Sequence, residues 1–435
     1  MADHDITKYG AVGDGRTMCT AAIRRAIDDC ASTGGRVVVP AGRFLSGSLL
    51  LRSGVELYLD RDAVLVAGTD PADRDDFSVG FVDDNPDTGW EGGCFLRASH
   101  AEHIVISGPG TIDGQGRAYF YDDDDDGGFH EAPLAVRGLR PRLSFFEDVR
   151  DLVIRDVTLR DAAFWTLHLA GCRDVRIEDI RILNNVRGAN NDGIDPDCCS
   201  NVTIRNCEIR TGDDCVVIKT TAPMAAKYGG SDHIRVSDCT LTSRSSAIKI
   251  GTETWADIRD ITVENCELRD CNRGIGIWSR DGGVIENLHF RNIRGNTRIY
   301  AECLTRKSGV HLWWGKGDAV FLSATGRAGV DRLPGAIRGV RFEQLEVFCE
   351  GMSAIAGEEY APITDVRFTG SRLIFRRQSP HQPTYLDEMP SERGRRETEQ
   401  HALYLRHAGP VGPGLEFIVE EEMRPFIRGD IWTDM

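Results

Sequence analysis

A six-residue phrase returns along this chain: apolar, polar, apolar, two polar residues, then a small or apolar one. LVIRDV begins at 152, VRIEDI at 175, VTIRNC at 202, IRVSDC at 234, ITVENC at 261 and LHFRNI at 288. Successive starts differ by 23, 27, 32, 27 and 27 residues, and further copies stand at 104 (IVISGP), 340 (VRFEQL) and 366 (VRFTGS). Alternation over a few β-branched residues predicts a strand with one buried face. Its return near a 27-residue period predicts stacked coils, an all-β parallel β-helix. A β-sandwich also alternates, but it does not repeat one phrase at one period.

A second short strand follows each phrase by about 12 residues, in TLHLAG (166–171), GIDPDC (193–198), CVVIKT (215–220), AIKIGT (247–252) and GIGIWS (274–279). Coils in such a stack lie about 4.8 Å apart. Alignment of the inward residues puts Leu167, Ile194, Val216, Ile248 and Ile275 in one column, with their neighbours pointing outward. The N-terminal part reads differently. Residues 17–31 carry Ala22, Ile23, Ala26, Ile27 and Cys30 at helical spacing, with start signals at Asp14, Gly15 and Thr17 and a Gly34-Gly35 stop. This helix is expected to cap the first coil, whose open end would otherwise expose apolar side chains. The chain is read as a single β-helix domain over 1–435. Cap and first coil fall in 1–50, the main coils in 100–375, and a closing segment in 376–435.

A net charge of −16 without a basic stripe argues against nucleic acid as a partner. No apolar run is long enough to span a membrane, and the first residues, MADHDITKYGAVGDG, lack the apolar segment of a secretory leader. That predicts a cytoplasmic protein, or a secreted one if a leader has been removed. The 13 cysteines show no metal-binding spacing, and Cys207, Cys239 and Cys266 recur at one place in the phrase. They read as small packing residues in a reducing compartment. Five consecutive Asp at 122–126 read as a solvated loop or a Ca²⁺ site.

The chemistry concentrates at two strand mouths. Asp192 stands two residues before Ile194, and Asp214 two before Val216, so column logic sets them on adjacent coils with Asp213 and Asn191 alongside. Three crowded carboxylates raise one another's pKa and cost stability. Acid–base chemistry uses that crowding, since one carboxyl stays protonated while another stays ionised. An Asp-rich turn or a Ca²⁺ site is the alternative from spacing alone.

The runs NNDGIDPD (190–197) and TGDDCVVIK (211–219) closely resemble glycoside hydrolase family 28, the polygalacturonase family. KYGAVGDGRT (8–17), VVVPAGRF (37–44), GTIDGQG (110–116) and residues 140–169 look like its bacterial members. The resemblance implies a right-handed parallel β-helix that hydrolyses an α-glycosidic bond with inversion and needs no metal or other cofactor. It implies Asp213 as general acid, with Asp192 and Asp214 activating water. Inversion leaves about 6.5–9.5 Å between acid and base for that water.

The chain departs from the family pattern at two places. Arg244-Ser245-Ser246 stands where the family carries Gly-His-Gly, and RGIGIWS puts Gly276 and Trp278 where it carries Arg-x-Lys. Lys249, one coil before Gly276 in the same column, is then expected to use the cleared space and bind substrate, or else to pair with Asp195 or Glu253. Trp278 offers a face for a sugar or packs under a loop. Asn191, Asp195, His168 and Arg244 complete the candidate substrate site. Trp313 and Trp314, in HLWWGKGD (311–318), would form a sugar-binding wall or anchor their loop.

The expected partner is a pectin-derived oligosaccharide, either a galacturonide or a rhamnoside. A cytosolic enzyme would trim imported fragments from one end, in a pocket closed by residues 118–138 and 377–400. A lyase or uronate epimerase using Ca²⁺ and a strong base, or a non-catalytic carbohydrate-binding β-helix, is the competing expectation.

Overall fold

The computed structural model describes residues 2–75, 93–122, 133–300, 316–326, 331–388 and 394–434. The chain divides into two compact units, one of Met1–Asp123 with Leu134–Gly212 and the other of Asp124–Pro133 with Asp213–Met435. Each is a stack of parallel strands with the right-handed β-helix architecture.

In the first unit, Cys94–Ser107 pairs with Arg142–Arg155. The latter pairs with both Leu167–Ala170 and Arg173–Glu178. The register follows the sequence phrase: Leu152, Val175 and Val202 align, as do Ile154, Ile177 and Ile204. A second sheet aligns Leu159, Ile182 and Ile209. All nine side chains are buried. Leu167 meets Ile194, as column logic expects.

In the second unit Val216 meets Ile248, and Ile248 meets Ile275 and then Val320. A further column of the same sheet aligns Val236, Val263, Phe290, Phe342 and Phe368. The phenyl rings stack at 5.1 and 4.6 Å between centroids. One coil thus lays its apolar side chain on that of the next.

The fifth residue of the phrase makes the corner. Asp156, Asp179, Asn206, Asp238, Asn265, Asn292 and Gln344 all have φ between 51° and 65°. Asp and Asn tolerate this left-handed conformation best among side-chain-bearing residues. The copy at 366 uses Gly370 there. The corner side chains also bond to one another, with Asn292 donating to Asn265 at 2.7 Å. The sixth residue turns inward, which explains the recurrent buried Cys207, Cys239 and Cys266.

The N-terminal helix runs Thr20–Thr33 and buries all five residues expected. It begins later than the sequence signals suggest. Asp14 accepts from Arg16 N and Thr17 N at 2.8 Å, so it closes a turn within the strand Asp14–Met18 instead of capping the helix. Among the described residues no helix is long and apolar enough to cross a membrane. Outside the coils, Phe120–Tyr121 pairs antiparallel with Ala135–Val136, and Tyr385–Asp387 with Arg395–Glu397. Residues 123–126 of the Asp run lie outside the described residues.

Candidate active site

In the first unit the loop before Ile194–Asp197 is tied by side-chain amides. Asn184 donates from Nδ2 to Thr166 Oγ1 and to the Asn191 carbonyl, both at 2.8 Å. Thr166 Oγ1 in turn donates to the Asp192 carbonyl at 2.7 Å. Asn191 is fully buried: its Nδ2 donates to the Asn185 carbonyl, and its Oδ1 accepts from Gly212 N, each at 2.8 Å. Asn190, at φ 55°, accepts from the buried Arg140. Asp192 therefore sits on a backbone fixed from both sides, although two apolar residues never flank it. Sequence reading found Asn191 but missed Asn184 and Thr166, polar residues whose work is to hold main chain.

Gly212 and Gly188 make this clamp fit. A Cβ on Gly212 would stand 2.1 Å from the Gly188 carbonyl oxygen, and one on Gly188 would stand 2.5 Å from Asn191 Nδ2. Gly212→Ala is expected to cost about 1–3 kcal/mol through overpacking. It should also depress turnover, because Gly212 directly precedes Asp213. Urea unfolding and rate measurement check both effects, and an unchanged midpoint would contradict the clamp.

His168 and Asp195 are register partners, both fully buried. The imidazole lies 4.9 Å from the Phe145 ring and 4.8 Å, edge-on, from the Trp165 ring. Its Nε2 is 3.2 Å from Asp197 Oδ2. Neither His168 nor Asp197 has exposed surface, so the two form a buried pair.

The second unit opens on the acidic pair. Asp213 and Asp214 are both buried. The Asp213 carbonyl accepts from Ser243 Oγ at 2.7 Å, and its Oδ1 accepts from Asp214 N at 3.0 Å. The two oxygens of Asp214 are used differently. Oδ1 accepts from Ser246 N at 2.9 Å, and Oδ2 accepts from Lys249 Nζ at 2.7 Å. Burial pushes the Asp214 carboxyl up, but the Lys249 charge and the hydrogen bonds from Lys249, Ser245 and Ser246 outweigh it and hold the group below the usual Asp value. Burial likewise pulls the Lys249 ammonium down, and Asp214, Asp213 and Glu253 together carry it above the usual lysine value. Lys249 thus faces the acidic pair.

The space cleared at Gly276 is filled by Trp278 and not by Lys249. A Cβ on Gly276 would stand 2.2 Å from Trp278 Cζ3. The indole is 5% exposed and packs with Phe321, Met352, Leu386 and Tyr404. Lys249 Nζ lies 5.4 Å from its ring centroid and the Arg273 guanidinium 4.8 Å. Arg273 binds Asp318 through both oxygens, at 2.6 and 3.2 Å. Lys316 pairs with the buried Asp387. Arg244 stacks 3.7 Å over the Tyr300 ring, which Arg298 also approaches. Trp313 and Trp314 lie outside the described residues.

The mouth of this strand thus carries two adjacent carboxyls, of which Asp214 is salt-bridged to Lys249. The model for glycosyl hydrolases family 28 matches residues 30–298. The chain belongs to glycosyl hydrolases family 28. It is 32% identical over 321 residues to a protein of Vitis vinifera described as a probable polygalacturonase, covering 70% of this chain and 63% of that protein. The chain therefore spans less than two thirds of that relative. It is 29% identical to an endo-polygalacturonase of Pectobacterium carotovorum, over 63% of this chain and 68% of the relative. The exopolygalacturonase of Thermotoga maritima shares the fold, with a TM-score of 0.69 and 22% identity over 96% of this chain and 91% of that one.

These family 28 relatives correct one expectation. They are plant and bacterial polygalacturonases, enzymes that are typically secreted or extracellular, in conflict with the cytoplasmic location expected from the sequence. A secretory leader is removed on export, so its absence from the first residues carries no information about location. A buried thiol packs as a small apolar group in either compartment. The argument that the substrate must be small enough to be imported falls with the location.

Proposed function

We propose that this family 28 protein hydrolyses an α-glycosidic bond in a pectin-derived oligosaccharide, galacturonide or rhamnoside, with inversion of the anomeric centre. Asp213 gives its proton to the departing glycosidic oxygen. Asp192 and Asp214 take up the proton of a water that attacks the opposite face. The observation that carries this reading is the inequality of the acidic pair. Asp214 is buried yet bound to an ammonium and an amide, the state of a fixed anion. Its neighbour Asp213, the first acid of the pair, is then proposed as the proton donor, the role the family pattern gives that position. Family membership supports the reaction class.

End-on cleavage is proposed because the relatives include a protein of Zea mays described as an exopolygalacturonase, 26% identical over 302 residues. Lys249, Trp278, Asn191, Asp195, His168 and Arg244 are proposed to shape the substrate site, with Asn191, His168, Lys249 and Trp278 acting through the groups they hold.

Defined galacturonan and rhamnogalacturonan oligosaccharides, followed by proton NMR, test the reading. The first product should be the β-anomer, released from one chain end. An initial α-anomer would overturn inversion, and mid-chain cuts would overturn end-on action. An unsaturated product absorbing in the ultraviolet, with calcium dependence, would make the protein a lyase.

A further inference from the structure

The second unit contains a chain of contacts that leads from Gly276 to the acidic pair. Lys249 and Gly276 are register partners on neighbouring strands. Gly276 has no Cβ, and the Trp278 indole lies where one would stand. That ring packs with Phe321, 5.3 Å between centroids, and with Arg273, itself bound to Asp318. The Lys249 ammonium lies 5.4 Å from the ring centroid. A cation over an indole face is attracted by the ring's quadrupole, and a flexible lysine loses part of its freedom there. The ammonium so confined reaches Asp214 Oδ2 at 2.7 Å, with 19% of the Lys249 side chain and 1% of the Asp214 side chain exposed.

We infer that Lys249 is a positioning residue that acts through Asp214, and that Gly276 and Trp278 are its support. The inference rests on the hydrolytic reading above. It gives the chain's two departures from the family pattern, RSSAIK and RGIGIWS, one shared purpose: to hold Asp214 as a stationary anion. Lys249 then has its bond engaged within the protein and does not serve to grip a substrate carboxylate.

The charged groups facing this pair are few among the described residues of the unit. Asp213 adjoins Asp214 in the chain. Glu253 lies on the same strand as Lys249 and is 3.9 Å from Lys219. Arg273 lies 4.8 Å from the indole centroid and is neutralised by Asp318. Without the ammonium, Asp214 would keep its bonds from Ser245 and Ser246 N but face burial and Asp213 with no counter-charge from Lys249, and both favour its protonated form. The sign follows. A carboxylate held below its ordinary value stays ionised as pH falls, so wild type keeps activity into acid. Loss of Lys249 moves the acid limb upward.

The test uses the full chain with Lys249→Met, Lys249→Arg and Gly276→Ala. Carbon-13 NMR of labelled aspartate carboxyls, with the Asp214 resonance assigned by its loss in Asp214→Asn, follows the group without requiring turnover. The Asp214 midpoint should rise by about 1–3 pH units in Lys249→Met. It should stay near wild type in Lys249→Arg, and rise by a smaller step in Gly276→Ala as the indole is pushed off its seat. If Lys249→Met does not fold, Lys249→Gln poses the same question.

An Asp214 midpoint unmoved in the methionine or glutamine variant overturns the inference. So does a variant with kcat and acid limb unchanged but KM raised, since that ammonium would be touching substrate. If wild-type protein cleaves none of the oligosaccharides above, the hydrolytic reading falls. The titration still decides whether Lys249 holds Asp214.

Discussion

Asp213→Asn is expected to lower kcat by about 10²–10⁴-fold, the usual contribution of a positioned general acid or base. The substitution removes the transferable proton and little else. Asn keeps an oxygen that can accept from Asp214 N, as Asp213 Oδ1 does at 3.0 Å. The Ser243 hydroxyl bonds the main-chain carbonyl of residue 213, which the change leaves untouched. Unfolding midpoint and oligosaccharide affinity should therefore stay close to wild type while turnover collapses. The contrast is Asp214→Asn, which strands a partly buried ammonium and should lose stability as well as rate. Initial rates on the cleaved oligosaccharide, beside urea melts of both variants, separate the two. An Asp213→Asn protein keeping more than a tenth of wild-type turnover would remove Asp213 from the acid role.

The largest loss of stability is expected from Asp318→Ala, about 3–5 kcal/mol. Asp318 is 1% exposed and its partner Arg273 is 7% exposed. The guanidinium is held by two hydrogen bonds and lies 4.3 Å from the Phe321 ring centroid. Removing the carboxylate leaves a delocalised cation inside the stack with its strongest partner gone. The backbone bond from Gly274 N to the residue-318 carbonyl survives, so strand pairing persists and the loss is electrostatic. A urea titration should show a lower midpoint at unchanged slope. Replacing both partners by apolar residues of similar volume should recover much of the loss, because no charge is then stranded. A single variant as stable as wild type would mean that the pair is solvated after all.

Much of the fold was legible in the sequence because one phrase encodes a coil. Its first and third residues align between coils, its fifth takes the left-handed corner and its sixth turns inward. The acidic pair was legible too, since two carboxylates at a strand mouth break the pattern of every other coil. What escaped was contact between residues far apart in the chain. Lys316 and Asp387, like Arg273 and Asp318, meet across long stretches of chain that carry no phrase. The seat of Trp278 escaped for another reason. A missing side chain at Gly276 reads as vacated space, and sequence does not say which neighbour leans into it. The helix start was misplaced because Asp14 serves a turn as readily as a cap, and only the strand Asp14–Met18 decides between them.

In the second unit, aligned residues are separated by unequal lengths of chain. Val216 and Ile248 are 32 residues apart, Ile248 and Ile275 are 27, and Ile275 and Val320 are 45. Yet these apolar residues stay aligned at all three steps, the first step shifting register only beyond Ile218. The short helix Ala222–Tyr228 accommodates the surplus of the first step at a corner. For evolution this separates two kinds of change. Length is cheap at the corners, where a whole segment enters without moving one core residue, while a single residue added within a strand would turn its buried face outward. A lineage built on such coils can refit what surrounds a strand mouth by insertion, and leave the strand that follows Asp213 and Asp214 in step with its neighbours.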